Sequence, residues 1–382
     1  MMEKVFVSPS RYVQGKDVFK KADQYVKKLG DLALVVADET VWKAAAEAFS
    51  AQLKKGGIEV VKEVFQGECS INEINRLTES GKAKKVNVVI GLGGGKTLDT
   101  VKAVADHLDT PVVCAPTVAS ADAPTAGLSV IYTDDGAFES YLFYDKNPEL
   151  VIVDTRIIAE SPHRMLVSGI SDALATWIEA RAVAEGHNNT MSGKQPTLAG
   201  KAIAETCEKV LFDYALPAIE ANQKKIVTPA LEAIVEANTL LSGLGFEDGG
   251  LGAAHAIHNG FTALTGDIHH LTHGEKVAYG ALTQLVLENK PFDELERYIG
   301  FYLKLGLPTS LKEIHLEKAT DEELYKVGEK ATAPGETIHQ MPFAITADDV
   351  VQAIKGVDAY VKDYKSRHGW SVESKKELLA MD

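Results

Sequence analysis

The run from Val86 to Ala105, VNVVIGLGGGKTLDTVKAVA, limits the fold more than any other stretch of the chain. Val86, Val88, Val89 and Ile90 favour extended backbone and read as a short apolar strand. Gly91, Gly93, Gly94 and Gly95 follow, and a helix is expected from about Lys96. A strand that turns through glycines into a helix is a building block of parallel sheets covered by helices. Glycines also let backbone N–H groups approach a phosphate, and the helix N-terminus adds the positive end of its dipole. A tight turn alone needs one or two glycines, so four point to the pyrophosphate of a nucleotide or dinucleotide. Two familiar phosphate motifs fail. A P-loop breaks at Ile90, five residues before Gly95, and G-x-G-x-x-G breaks at Lys96. What remains is G-x-G-G-G-K-T-x-D, with Asp99 one turn into the helix.

The surrounding sequence repeats the same alternation. Strands are expected at Ala33–Ala37, Glu59–Phe65, Val112–Ala115, Leu128–Tyr132, Glu139–Phe143 and Leu150–Val153. Helices are expected at Asp17–Leu29, Val41–Lys55, Ile71–Ala83 and Leu98–His107. Leu128–Phe143, with Asp134-Asp135-Gly136 in its middle, reads as a β-hairpin. After Asp154 the strand signals stop. Helical periodicity runs through Ser161–Glu185, Leu198–Ala221, Pro229–Gly243, Leu251–Leu264, Lys276–Glu288 and Asp293–Leu305. Two domains are therefore expected in the 382 residues: an α/β domain over 1–160 and an all-helical domain over 161–382.

Charge narrows the function classes. A net charge of −14 without a basic run argues against nucleic acid and against an anionic membrane surface. No stretch is long and apolar enough for a transmembrane helix, and the N-terminal MMEKVFVSPSRY lacks a signal-peptide core. Cys69, Cys114 and Cys207 are far apart and odd in number, which suits a reducing cytoplasm and no disulfide framework.

Three further groups of residues carry chemistry. Asp38, in ADET at the end of a strand, reads either as an acceptor for a ribose diol, favouring NAD over NADP, or as the N-cap of the next helix. The small, polar run APTVASADAPTAGLSVIY, Ala115–Tyr132, sets Thr117, Ser120 and Asp122 after a buried strand. It reads either as a ligand loop or as a buried crossover. In the helical half, Asp172 lies in GISDALATW, His255 and His258 in GLGAAHAIHNG, and His269, His270 and His273 in DIHHLTHGEKVAYG. A carboxylate and imidazoles on separate helices are how helical bundles build metal sites, and such donors suit zinc or non-haem iron. The H-E-x-x-H signature is absent, and His258, His269 and His270 fit capping, surface or supporting roles equally well.

Taken together, GLGGGKTLDT, APTVASADAPTAGLSVIY, GISDALATWIEA, GLGAAHAIHNGF and HGEKVAYG resemble the iron-containing (group III) alcohol dehydrogenase superfamily over nearly the whole chain. Within it the similarity is to the members that act on glycerol. The resemblance implies a dehydroquinate synthase-like fold, a Rossmann-like α/β domain with a parallel sheet followed by an all-α domain. It implies Gly93, Gly94, Gly95 and Lys96 at the pyrophosphate of NAD, Asp38 at the ribose, and Asp99, Thr117, Ser120, Leu128 and Tyr132 along the cofactor. It implies Asp122 at the polyol and Asp172, His255 and His273 as metal ligands that also face the substrate, with the metal between the domains.

The iron-dependent members carry a histidine four residues after the aspartate ligand. Here that residue is Thr176, which favours Zn²⁺, although iron and manganese are compatible with the three remaining ligands. Ala126 stands where some relatives have a serine at the cofactor. The implied reaction is oxidation of glycerol to dihydroxyacetone by NAD⁺, with Asp122, Asp172, His255 and His273 as the catalytic set. Oxidation of 1,2-propanediol or 2,3-butanediol is the nearest alternative. Glycerol 1-phosphate oxidation and a dehydroquinate synthase-type elimination need phosphate-binding cations, which are sparse near the expected site (Lys276, Arg164). A regulatory nucleotide-binding protein leaves Asp172, His255 and His273 unexplained. Relatives of this kind form homo-oligomers, up to octamers, and a cytoplasmic homo-oligomer is expected.

Overall fold

A computed structural model describes residues 3–370 of the chain. Its sheet has six parallel strands: β1 (Tyr12–Gly15), β2 (Leu32–Ala37), β3 (Glu59–Val64), β4 (Val88–Gly93), β5 (Val112–Pro116) and β8 (Leu150–Asp154), in the order β1-β8-β5-β4-β2-β3. The four inner strands are near-continuous apolar runs because helices cover both faces of the sheet. The edge strand β3, EVVKEV, places Glu59 and Lys62 in solvent, which blunts an otherwise unpaired edge. The other edge, β1, escapes a reading of apolar pattern. It is four residues long, half-buried, and defined by main-chain pairing of Tyr12–Gly15 with Val151–Asp154. The expected hairpin is present as the antiparallel pair β6 (Leu128–Tyr132) and β7 (Phe138–Phe143).

Chain order and spatial order reverse at β2. The connection from β2 leads outward to β3, and the next crossover returns to β4 on the opposite side of β2. Such a switch point opens a crevice outside the carboxyl ends of the strands. Asp38 directly follows β2 and the glycine turn closes β4, so both stand at the carboxyl ends of the strands beside this switch point.

The chain forms two compact units. One comprises Val7–Leu166 with Pro217–Leu244; the other comprises 3–6, Val167–Leu216 and 245–370. Against an expected junction at residue 160, the helical stretch 217–244 groups with the sheet. Polar ties explain why. Asn222 Nδ2 donates to the carbonyls of Ile158, Ala159 and Ser161. Asn238 Nδ2 donates to Ala119 O at 2.9 Å, and Thr239 and Tyr12 share a hydrogen bond of 2.7 Å. Helical periodicity announces a buried face but not the partner that buries it.

The second unit is largely helical, and its helices include Asp321–Ala331 and Ala347–Arg367, for which no element is expected from the periodicity read above. Both begin with a capping box, Thr320 with Glu323 and Thr346 with Asp349, a signal that was available in the sequence. The three cysteines are buried and form no disulfide among the described residues. Among the described residues no helix is long and apolar enough to cross a membrane.

A buried ion pair pins the loop that follows β5 in the first unit. Lys102, 3 % exposed, sits on helix α1 (Gly95–Leu108). Its ammonium lies 2.9 Å from Asp99 Oδ1 and donates to the carbonyls of Ala123, Ala126 and Leu128. Asp99 Oδ2 in turn accepts from Val130 N–H at 3.0 Å. Removing one member of such a pair strands the other charge in the interior, at about 3–5 kcal/mol. Lys102→Met is therefore expected to lose about that much unfolding free energy in a urea titration. The double variant with Asp99→Asn is expected to recover part of it, and a loss under about 1 kcal/mol in the single variant contradicts the account.

Candidate active site

The first unit supplies an anion cradle. Helix α1 starts at Gly95, with Gly94 as an N-cap that has no side chain to offer. The first hydrogen bond back into the cap runs from Leu98 N–H to Gly94 O, so the N–H groups of Gly95, Lys96 and Thr97 precede it. A side chain built on Gly94 or Gly95 meets the protein only at 3.4 Å (Val118) or 3.6 Å (Ala123), ordinary contact distances. The protein interior therefore does not demand glycine at these positions. A ligand that approached the backbone here would demand it.

The other residues expected at the cofactor belong to the same unit. Asp38 is an N-cap, its Oδ1 accepting from Val41 N–H at 2.8 Å. Lys96 pairs with Glu68, and its ammonium stands 5.4 Å from the Tyr132 ring centre. Thr117 N–H donates to Gly93 O at 3.1 Å, which ties the loop after β5 to the glycine turn. Leu128 is buried and Ser120 half-buried. Asp99, also expected at the cofactor, faces inward to Lys102 and Val130 as described. Ala126 lends its carbonyl to Lys102. Asp122 is half-buried and held by Ser242, whose Oγ donates to Asp122 Oδ2 at 2.9 Å.

The second unit gathers the three expected metal ligands. Asp172 lies on helix α2 (His163–Glu185), His255 on α3 (Ala253–Phe261), and His273 opens α4 (His273–Leu287) after the Thr272 N-cap. Close helix approach makes this possible. A Cβ on Gly274 would stand 1.9 Å from Ser168 O, and one on Gly280 would stand 2.4 Å from Ala254 O. His255 Nε2 is 3.3 Å and His273 Nε2 3.2 Å from Asp172 Oδ1, and one ligand atom from each residue lies within 4.8 Å of the others. Asp172 is 1 % exposed, and its Oδ2 is buried without a hydrogen-bond partner. An unsatisfied anionic oxygen costs too much to bury unless a cation completes it. Two imidazoles and this carboxylate, with its unpartnered oxygen, are a donor set that fits a divalent metal.

Glu179, which the sequence reading passed over, completes this site. It is fully buried, and its Oε2 lies 2.6 Å from His255 Nδ1. It stands seven residues after Asp172, two turns along the same face of α2, which is the signal that could have exposed it. His258 is buried with its ring 4.4 Å from that of His273, and its Nδ1 pairs with Asn259 Oδ1 at 3.2 Å. His269 and His270 lie exposed on a short turn. Thr176 is buried one turn beyond Asp172, and Gly245 packs so closely that a Cβ there would stand 2.5 Å from its methyl.

Electrostatics couple these groups. Burial works against a charged His255, but the Glu179 carboxylate, joined by Asp172, outweighs it and holds the imidazole pKa well above its ordinary value. Burial likewise opposes a charged Asp172, and the His273 and His255 rings overcome it, drawing the carboxyl well below the usual range. A metal needs Nε2 of His255 unprotonated, so binding expels a proton below that raised pKa. Apparent zinc affinity is therefore expected to rise with pH, about tenfold per unit for one proton displaced. Chelator competition at several pH values around neutrality measures this, and a flat profile contradicts it.

Comparison with known proteins finds relatives over nearly the whole chain. A sequence model of the iron-containing alcohol dehydrogenase family matches residues 9–155. A glycerol dehydrogenase of Citrobacter freundii is 48 % identical over 366 residues, covering 96 % of this chain and 100 % of that one. A glycolaldehyde reductase of Halobacterium salinarum is 44 % identical, covering 96 % and 100 %. The crystal structure of glycerol dehydrogenase from Schizosaccharomyces pombe superposes with a TM-score of 0.94 at 44 % identity, covering 97 % of this chain and 94 % of that one.

Proposed function

The chain belongs to the iron-containing alcohol dehydrogenase family, and on that premise we propose that it oxidises glycerol to dihydroxyacetone with NAD⁺ at a zinc site formed by Asp172, His255 and His273. The observation that carries the reading is the buried Asp172 carboxylate, one oxygen facing two imidazoles and the other left unpartnered. The three-residue set, with Thr176 in place of a fourth ligand, favours zinc.

The reaction breaks the C2–H bond of glycerol and moves that hydride to C4 of the nicotinamide, while the O–H proton is lost to solvent. A zinc ion held by Asp172, His255 and His273 would supply Lewis acidity, lowering the pKa of the secondary alcohol toward neutral. The chain's own residues bind and orient. The N–H groups at the start of α1 take the pyrophosphate, and the dipole of a 14-residue helix adds to their attraction. Asp38 keeps one carboxylate oxygen on Val41 and would offer the other to the ribose diol, where its charge would disfavour a 2′-phosphate. Thr117, Ser120, Leu128 and Tyr132 line the remainder of the dinucleotide. Asp122, fixed by Ser242, accepts a hydrogen bond from a polyol hydroxyl.

A substrate panel tests this reading. NADH formation is expected with glycerol and, more weakly, with 1,2-propanediol and 2,3-butanediol, and NADH consumption with dihydroxyacetone. Glycerol 1-phosphate is expected to be inert. Faster consumption of NADH with glycolaldehyde than with dihydroxyacetone would move the assignment to a two-carbon substrate at the same site.

A further inference from the structure

We infer that Glu179 is a positioning residue that sets the metal affinity of the site, by fixing the His255 ring in the one tautomer that offers Nε2. This rests on the reading of Asp172, His255 and His273 as zinc ligands. Helix α3 begins at Gly252, an N-cap without a side chain, so its first N–H groups need partners from elsewhere. Two buried side chains supply them. Glu179 Oε1 accepts from Gly252 N–H at 2.9 Å and His255 N–H at 3.0 Å. Gln284 Oε1, from α4, accepts from Ala253 N–H at 2.8 Å and Ala254 N–H at 3.0 Å. The two residues thus share the capping of the helix that carries His255. Only Glu179 also reaches the ring.

Its second oxygen, 2.6 Å from Nδ1, has no proton to give while ionised. The contact therefore requires Nδ1–H and leaves the Nε2 lone pair for the metal. A carboxylate behind a histidine ligand also raises the basicity of the ring, and loss of such partners weakens metal binding about 10- to 100-fold.

Glu179→Gln isolates the tautomer effect. An amide has one acceptor oxygen, which can serve the backbone N–H pair or the ring N–H but not both. With the oxygen kept on Gly252 and His255 N–H, the NH₂ group faces Nδ1 and drives the ring proton onto Nε2. Zinc affinity is measured by competition with a chromophoric chelator on wild-type protein, Glu179→Gln and Gln284→Ala. The expected result is a 10- to 100-fold weaker zinc complex in Glu179→Gln, with Gln284→Ala close to wild type though less heat-stable. Equal zinc affinities in Glu179→Gln and wild type, or equal losses in the two variants, overturn the inference. A wild-type protein that binds no zinc overturns the underlying reading instead. Should Glu179→Gln fail to fold, the ¹⁵N shifts of His255 in zinc-loaded wild-type protein decide. A proton on Nδ1 supports the inference, and a proton on Nε2 overturns it.

Discussion

Asp172→Asn is expected to reduce kcat for glycerol by at least about a hundredfold and to strip the protein of zinc. Asp172 is the only anion among the three ligands, and it is 1 % exposed, where solvent cannot replace its charge. Removing one partner from a buried charged cluster costs about 3–5 kcal/mol, and each 1.36 kcal/mol is tenfold in rate or affinity. Asparagine keeps the shape and one carbonyl oxygen, so the loss measures charge rather than packing. It also replaces an oxygen that accepts with an NH₂ group that donates toward the site. The anion cradle lies in the other unit, on α1, and NAD binding by Asp172→Asn is expected to stay at the wild-type level. Three readings on one preparation check this: kcat with added zinc, zinc stoichiometry, and NADH affinity by fluorescence. Retained kcat and retained zinc together would refute the assignment.

Gly94→Asp is expected to separate fold from cofactor binding. Gly94 has φ −89° and ψ −172°, an extended conformation open to any residue, and its Cβ position meets nothing nearer than 3.4 Å. Aspartate is among the best N-cap residues and exceeds glycine there by roughly a few tenths of a kcal/mol. Asp38 and Asp154 play that part elsewhere in the same unit. The variant should therefore unfold no earlier than wild type. Its carboxylate would nonetheless occupy the N–H groups proposed to take the pyrophosphate, and repel it. At about 4 Å and an effective dielectric of about 20 the repulsion is of order 4 kcal/mol, and solvent relaxation brings this to about 2–3 kcal/mol, or a 30- to 150-fold rise in KM for NAD⁺. Zinc content is expected to be unchanged. A KM close to wild type in a stable variant would show that the pyrophosphate does not rest on this helix.

The parts of the molecule that sequence made legible are those fixed by local rules. Val88–Gly93 and Gly95–Leu108 announce themselves because an apolar run, a glycine turn and a helical stripe lie within twenty residues. Tyr12–Gly15 does not, because its only strand character is the main-chain ladder it makes with a partner some 140 residues away. The candidate metal ligands rest on resemblance, since Asp172, His255 and His273 are dispersed over about a hundred residues and only the packing of three helices unites them. Glu179 went unread for the same reason. In TWIEARA it looks like an ordinary solvent-facing charge, and nothing local says that α3 will bring two N–H groups and an imidazole to it. Asp99 shows the reverse difficulty. An acidic residue beside a glycine turn suggests a ligand contact, yet Lys102 one turn further on draws it into the interior. Residue type and spacing indicate which groups are available; burial decides which of them serve a ligand and which serve the fold.

The most direct test of the central claim is metal reconstitution. Protein stripped with a chelator is resupplied separately with Zn²⁺, Fe²⁺ or Mn²⁺, and NADH absorbance is followed with glycerol and NAD⁺. The account predicts no turnover in the stripped protein, recovery with Zn²⁺, and loss of that recovery in Asp172→Asn. A protein that binds NAD⁺ yet oxidises no glycerol with any of the three metals would contradict it.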